Sequence, residues 1–258
     1  APSVQLRSIG VLYNSQQYDE AIVEARKIVN WTPLLDQDVR LDAWLVIANS
    51  QFKRQAYRDA EQSFVEVSRL MSKKDKRYAE VISLLATSIY RQGEVLATKG
   101  KLRQAVEEFY RVARIAPASK VAIKAEIDAA AYLMKMEAWL EAIVVLNRFR
   151  QQYPNDPLID TIPAKLVYAY EQSGQWASAA RELYWLSVNG DDAENKRLAL
   201  HQSASYYVKA GETTEAIRMY KRYAHQYKRP LDLLMEAQYT LSEMYLQGSE
   251  AEKRRYWL

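Results

Sequence analysis

AYEQSGQWASAARELYWL, residues 169–186, places Gly174 between two apolar stretches and follows it with Trp176 and Ala179. Five other stretches of the chain have an alanine in a similar setting. The six alanines stand at positions 21, 60, 105, 142, 179 and 216, with separations of 39, 45, 37, 37 and 37 residues. Three equal intervals indicate an internal repeat, so the chain is a series of similar units.

The apolar spacing inside each unit is helical. Before the turn, Leu166 precedes Tyr170 by four residues, and after the turn Leu183 follows Ala179 by four residues. Residues four apart lie on the same face of an α-helix. Each unit is therefore predicted to consist of two antiparallel helices, helix A and helix B, which are joined at the glycine.

The residues at each turn have separate predicted roles. Gly100, Gly174 and Gly211 stand five residues before a repeat alanine, where glycine can end helix A in the left-handed conformation without strain. The small alanine is expected to let the two helices approach closely. The aromatic residue three positions before it, as at Trp139 and Trp176, is expected to cover the turn and seal the junction with the next unit.

Helix B has its own stop signal. Pro33, Pro117 and Pro154 each follow a repeat alanine by 12 residues, and proline cannot continue a helix. The stretch RYAEVISLLATSIYRQGEVLATKG, residues 77–100, is predicted to form one extended helix A of about six turns.

This pattern resembles the tetratricopeptide repeat family, whose unit has a small residue in helix A, an aromatic residue near the turn, an alanine in helix B and a closing proline. Four units match it best, through Trp44, Ala48, Tyr57, Ala60 and Phe64; Gly93, Gly100, Ala105, Phe109 and Pro117; Tyr170, Gly174, Trp176 and Ala179; and Ala204, Tyr207, Gly211, Ala216 and Tyr220. The resemblance covers nearly the whole chain, although the period here is 37 residues or more. It implies an all-α fold, a right-handed superhelical solenoid of antiparallel helix pairs.

The domain organisation follows from the repeat. Residues 1–258 are expected to form a single array of about six and a half helical hairpins. The seventh unit begins in LDLLMEAQYTLSEMYLQ, residues 231–247, and is expected to be truncated in its second helix, which would make the chain a fragment of a longer protein. Leu241 and Tyr245 are then expected to be exposed and available for self-association through this C-terminal unit.

Residue types that carry chemistry are scarce. The chain has no cysteine and two histidines, His201 and His225, with no metal-ligand spacing around them. It also has no glycine-rich phosphate loop and no apolar run of the roughly 18 residues that a membrane span needs. We therefore expect a protein that is not an enzyme, with no catalytic, cofactor or metal site, no small-molecule substrate and no transmembrane segment.

Charge leaves one alternative open. The net charge is +4, and basic residues cluster in RMYKRYAHQYKRP, residues 218–230, and SRLMSKKDKRY, residues 68–78. Cations interleaved with aromatic rings can bind nucleic acid or acidic polysaccharide. However, Tyr220 and Tyr223 fall at core positions of the repeat, so packing is the preferred interpretation and nucleic acid is disfavoured as a partner.

The resemblance implies a binding groove lined by the A helices, which suits a peptide or protein partner. The residues carried over to that groove are Asn49, Tyr90, Glu94, Met134, Tyr168, Gln172, His201, Ser205 and Lys209. Tyr168 is expected to lead recognition, because it lies at an inward position of its helix while Tyr170 serves the hairpin core.

The leading function is thus a non-catalytic scaffold. FRQQYPNDPLIDTIPAKLVYAYEQSGQWASAA, residues 149–180, resembles tetratricopeptide-like lipoproteins and periplasmic scaffolds of Gram-negative bacteria, which implies a role in an envelope assembly. Three alternatives remain: a basic module for an anionic polymer, a regulatory segment of a larger enzyme, and a cytoplasmic location.

Overall fold

The computed structural model describes residues 2–117, 119–248 and 251–257, and these residues form helices and no strands. The helices are α1 (Pro2–Asn14), α2 (Tyr18–Val29), α3 (Gln37–Lys53), α4 (Tyr57–Leu70), α5 (Tyr78–Thr98), α6 (Leu102–Ile115), α7 (Lys120–Lys135), α8 (Trp139–Gln152), α9 (Ile162–Gln172), α10 (Trp176–Asn189), α11 (Ala193–Lys209), α12 (Thr213–Gln226), α13 (Leu231–Gln247) and α14 (Ala251–Trp257). A 3₁₀ turn at Pro157–Thr161 precedes α9. The predicted all-α class is confirmed.

The chain divides into two compact units, residues 1–136 and 137–258. The first contains the helix pairs α1/α2, α3/α4 and α5/α6, followed by α7. The second begins with α8 and continues with the pairs α9/α10, α11/α12 and α13/α14. In each unit, consecutive helices pack against one another along the chain.

The six repeat turns share one backbone geometry. The residue five positions before each repeat alanine has a positive φ, between 57° and 75°. In the turn after α9, the N–H of Gln175 donates to the carbonyl of Tyr170 at 2.8 Å, which closes the helix end as a Schellman motif. The prediction for the three glycines is confirmed, but the other three turns use Gln16, Gln55 and Glu137 in the same conformation.

Each repeat alanine is the fourth residue of its helix B. Its N–H donates to the carbonyl of the residue that precedes the helix, as from Ala179 to Gln175 at 3.0 Å. All six alanines are completely buried. This burial agrees with the predicted role of the alanines as points of close packing, since a densely packed interior leaves little room for a larger side chain.

The predicted helix ends are also found. Helices α2, α6 and α8 end at Val29, Ile115 and Gln152, in each case before the closing proline. Helix α5 runs for 21 residues, the extended helix A that the sequence predicts.

The seventh hairpin differs from the prediction. Helix α14 packs against α13 and places Trp257 in the core of the second unit. Leu241 is fully buried and Tyr245 is 3% exposed, so the expectation that these two residues are available for self-association is wrong. The physical reason is that the last residues form a second helix, which covers the face that carries them.

Candidate functional site

In the first unit, the predicted groove residues are held by internal contacts. The hydroxyl of Tyr90 donates to Oδ2 of Asp128 at 2.6 Å, and its ring is 4% exposed. Burial and then this hydrogen bond raise the pKa of Tyr90, because both oppose ionisation beside a carboxylate. The ammonium of Lys124 lies 4.8 Å from the centroid of the same ring. Tyr90 therefore joins α5 to α7 and offers almost no surface to a partner, which corrects its predicted place.

The other three predicted residues of this unit are half-buried. Glu94 pairs with Arg91 at 2.7 Å and with Lys124 at 3.8 Å. The side-chain amide of Asn49 donates to the carbonyl of Leu45 in its own helix at 2.9 Å. Met134 is partly accessible near the end of α7. These contacts leave the first unit without an exposed aromatic anchor among the predicted residues.

In the second unit, Tyr168 has the exposure that the sequence predicts. Its side chain is 47% exposed, and its ring meets the indole of Trp139 edge-on with centroids 5.5 Å apart. Its hydroxyl has no hydrogen bond within the residues that the structure describes. Gln172, four residues later on the same helix face, is also exposed. Tyr170, by contrast, is half-buried and accepts a hydrogen bond from Asn147 at 3.1 Å.

A second aromatic pair lies at the next junction. Trp176 meets Tyr206 edge-on at 5.2 Å, and the ammonium of Lys209 lies 4.5 Å and 4.9 Å from the two ring centroids. Gln202 donates to the hydroxyl of Tyr206 at 2.9 Å. Lys209 is one of the predicted groove residues, but its ammonium group lies against the two aromatic rings in cation–π contacts.

The junction role of these tryptophans is confirmed, since Trp139 and Trp176 each contact helix A of the following hairpin. The tyrosines at the same place in earlier turns behave differently. Tyr18 and Tyr57 pack edge-on against rings of their own helix A, both with centroids 5.6 Å apart.

His201 is a core residue and not an exposed ligand. Its ring is 8% exposed and lies edge-on to Tyr220 and Tyr223, with centroids 5.6 Å and 5.0 Å away. Burial lowers the pKa of His201, against the opposing influence of the Glu236 carboxylate, whose Oε2 is 3.8 Å from Nε2. The neighbouring Ser205 is half-buried. The predicted place of His201 in a groove is therefore corrected, because α12 supplies two rings that cover it.

The first basic cluster, residues 218–230, is largely engaged in packing. Tyr220 is 3% exposed and Tyr223 is fully buried. The guanidinium groups of Arg218 and Arg222 lie 5.8 Å and 5.3 Å from the ring centroid of Tyr184, and Arg222 also donates to its hydroxyl. These contacts favour the packing interpretation over an anion-binding surface.

The second basic cluster, residues 68–78, contains local ion pairs. Arg77 bonds to Asp75 at 2.9 Å, and this hydrogen bond lowers the pKa of Asp75 to about 2. Arg69 pairs with Glu66 at 2.6 Å. Lys73 and Lys74 remain exposed on the short connection between helices.

The apolar surface expected on residues 231–247 exists, but it lies on other residues than the predicted Leu241 and Tyr245. Helix α13 exposes Leu231, Met235, Tyr239 and Leu246 at 62%, 65%, 63% and 47%. Their spacing of four, four and seven residues places them on one helix face.

Other kinds of site find no support in the part of the chain that the structure describes. No group of three or more His, Asp or Glu side chains there could hold a metal ion. His225 instead packs against Trp257 with ring centroids 5.4 Å apart. No helix among the described residues combines the length and apolar character required to cross a membrane.

Comparison with known families gives one match. Residues 198–229 match the profile described as tetratricopeptide repeat. They include most of α11, the turn at Gly211 and all of α12. A search of curated proteins finds no significant match.

Comparison with solved structures gives matches of low sequence identity, three of which follow. Naa15/Naa10 bound to HypK-THB has 13% identity and a TM-score of 0.45, and the match covers 99% of this chain but only 36% of that chain. MamA 41-end from Desulfovibrio magneticus RS-1 has 17% identity and a TM-score of 0.37, with 73% and 94% of the two chains covered. The C-terminal part of a TPR repeat-containing protein from Cytophaga hutchinsonii has 14% identity and a TM-score of 0.39, with 98% and 92% covered. These values are too low to transfer a partner or an activity.

The hairpin architecture, the recurring turn and the profile match agree with one another. The fold is one that commonly mediates protein–protein interaction. The chain therefore carries a tetratricopeptide repeat at residues 198–229, and the described residues of both of its units form helical hairpins.

Proposed function

We propose that this chain is a non-catalytic scaffold that binds a peptide or a helical segment of a protein partner on the A helices of its second unit. The observation that carries the proposal is Tyr168, whose side chain is 47% exposed. Its ring packs edge-on against the indole of Trp139, with ring centroids 5.5 Å apart. An aromatic side chain already held in place loses little rotamer freedom on binding, and exposed tyrosines of this kind are frequent anchors.

The surroundings of Tyr168 suit a partly apolar ligand with polar groups. Gln172 lies one turn further along α9 and can pair with backbone amides of a peptide. Helix α11, the helix A of the following hairpin, also exposes two apolar side chains, Leu198 and Val208, at 43% and 42%. A peptide with an apolar side chain for the Tyr168 ring and free backbone groups for Gln172 is the ligand that this chemistry favours.

The experiment uses peptides selected from a random display library on the whole chain. Tyr168→Ala is expected to weaken the selected peptides by about 1 kcal/mol or more, roughly fivefold, because it removes the anchor ring. Tyr168→Phe keeps the ring and its contact with Trp139 and removes only the hydroxyl, so it distinguishes the contribution of the ring to binding from that of the hydroxyl. Tyr256→Ala, at a tyrosine that is 70% exposed on α14, is the matched control. Equal loss in Tyr168→Ala and Tyr256→Ala would refute the proposed anchor.

The anionic-polymer alternative has a separate test. If cations held the partner, the affinity would fall steeply with salt and would be lost in Lys73→Glu and Arg229→Glu, both at exposed positions. We expect neither result. The engagement of Arg218 and Arg222 with Tyr184 supports this expectation.

The envelope assembly stays part of the proposal. It is supported by the resemblance of residues 149–180 to periplasmic tetratricopeptide-like proteins. Fractionation of cells that carry the native gene tests it, since recovery with cytoplasmic markers would contradict an envelope location.

A further inference from the structure

We propose that the outer face of α13 is a docking site for an amphipathic helix that carries a row of basic residues beside its apolar stripe. This site is separate from the Tyr168 surface and does not depend on it. The apolar stripe consists of Leu231, Met235, Tyr239 and Leu246, and each of these side chains is between 47% and 65% exposed.

An acidic row runs beside this stripe. Asp232, Glu236 and Glu243 are spaced four and seven residues apart, so they follow the same helical line, displaced to one side of the apolar residues. Asp232 and Glu236 are exposed and Glu243 is half-buried. Helix α13 contains no lysine or arginine, although the chain as a whole has a net charge of +4.

The three carboxylates lack a cation of their own. Within the described residues, none of them forms an ion pair with a lysine or arginine. Glu236 lies 3.8 Å from Nε2 of His201, and burial favours the neutral form of that histidine. Lys221 and Lys253 lie 5.3 Å and 5.7 Å from the ring centroid of Tyr245, on another face of α13. The three carboxylates therefore have no direct lysine or arginine partner among the described residues and are available to a cationic partner.

The shape and charge together select the partner. The stripe extends over 16 residues, about 24 Å of helix, which matches a partner helix of about four turns. An apolar stripe draws in the apolar face of an amphipathic helix, and the acidic row selects cations along one edge. The same carboxylates repel an anionic membrane surface and nucleic acid, so neither of these is the favoured occupant.

The experiment uses the whole chain and two synthetic helical peptides of 18 residues. One has leucine on one face and lysine on the other, and the second has glutamate in place of every lysine. Fluorescence anisotropy of labelled peptide is expected to show binding of the leucine–lysine peptide and at least tenfold weaker binding of the leucine–glutamate peptide. Protection from hydrogen exchange should increase at residues 231–247.

Variants then locate the site. The double substitution Met235→Ser with Tyr239→Ser is expected to weaken the leucine–lysine peptide at least tenfold. The matched control is Leu140→Ser with Val144→Ser on α8, a pair with the same spacing and with 65% and 63% exposure. That control is expected to leave the affinity within about twofold, as is Tyr168→Ala, which separates this site from the proposed function.

A third set of variants tests the charge. Replacing Asp232 by asparagine and Glu236 and Glu243 by glutamine should remove the preference for lysine over glutamate. Circular dichroism is expected to show unchanged helix content, because two of the substituted side chains are exposed and the third is half-buried.

Several results would overturn the proposal. Equal affinity of the two peptides, equal effects of the α8 and α13 substitutions, or protection outside α13 would each do so. Concentration-dependent dimerisation in sedimentation that the α13 substitutions abolish and the leucine–lysine peptide does not compete with would assign the face to a second copy instead. Binding to anionic lipid vesicles through this face would also contradict it.

Discussion

Three glycines of the first unit are expected to respond to alanine in three different ways. Gly100 lies in a repeat turn with φ 73°, and a Cβ added there would have no atom within 4 Å. The cost of Gly100→Ala therefore comes from the left-handed backbone alone, roughly 1–2 kcal/mol. Alanine also lowers the conformational entropy of the unfolded chain, which stabilises the folded state by about 0.4–1 kcal/mol and offsets part of this cost. The expected net loss of stability is about 1 kcal/mol.

The reverse change is expected in the neighbouring turn. Gln55 occupies the same conformation with φ 62° and carries the backbone strain that glycine avoids. Gln55→Gly is therefore expected to stabilise the protein by about 0.5–1 kcal/mol, against the usual effect of glycine.

Two further glycines are controls in the same unit. Gly10 lies inside α1 with open space around it, so Gly10→Ala should stabilise by about 0.5–1 kcal/mol through helix propensity. Gly93 lies inside α5, where a Cβ would stand 2.6 Å from Cε1 of Phe109. Gly93→Ala is therefore expected to destabilise by about 1–3 kcal/mol through overpacking.

Urea unfolding followed by circular dichroism measures all four variants. A change of 1 kcal/mol moves the midpoint by about 0.5 M at an m value of about 2 kcal/mol/M. If Gly100→Ala and Gly10→Ala shifted the midpoint in the same direction, the left-handed turn would not impose the penalty assigned to it. If Gln55→Gly lowered the midpoint, the strain at Gln55 would be absent.

The remaining predictions concern the second unit. Ala179→Leu should cost roughly 1–3 kcal/mol in urea unfolding because the alanine is completely buried, whereas Ala164→Leu on an exposed site should cost much less. Arg150→Ala should cost about 2 kcal/mol in the same assay, because it leaves the carboxylate of Glu182, 8% exposed, without the guanidinium that now lies 2.9 Å away; an unchanged midpoint would show that the pair contributes nothing. His201 has a lowered pKa in the folded state, so the unfolded chain takes up its proton first and stability should fall as pH drops below about 6.5, by at most 1.4 kcal/mol per pH unit. His201→Phe should remove that part of the slope in thermal unfolding between pH 7 and pH 5, and an unaltered slope would contradict the assignment.

The sequence by itself determined the features that depend on local backbone preferences. The repeat alanines, the glycine turns, the prolines that follow helix B and the 21-residue α5 were all predictable, since each reflects the conformation of a few neighbouring residues. The exposure of Tyr168 was predictable as well, because the repeat places it on the groove side of its helix A, whereas Tyr170 of the same helix serves the hairpin core.

The tertiary structure alone decided which faces are covered. Tyr90 and His201 hold predicted groove positions, yet Asp128 and Tyr223 from neighbouring helices engage or bury them. Gln55 adopts a left-handed conformation that its side chain disfavours, because the hairpin closes on both sides of it. Leu241 is buried and Met235 is exposed on the same helix, and only the packing of α12 and α14 against α13 distinguishes them. Helical periodicity tells which residues share a face, whereas burial depends on neighbours that are distant in sequence.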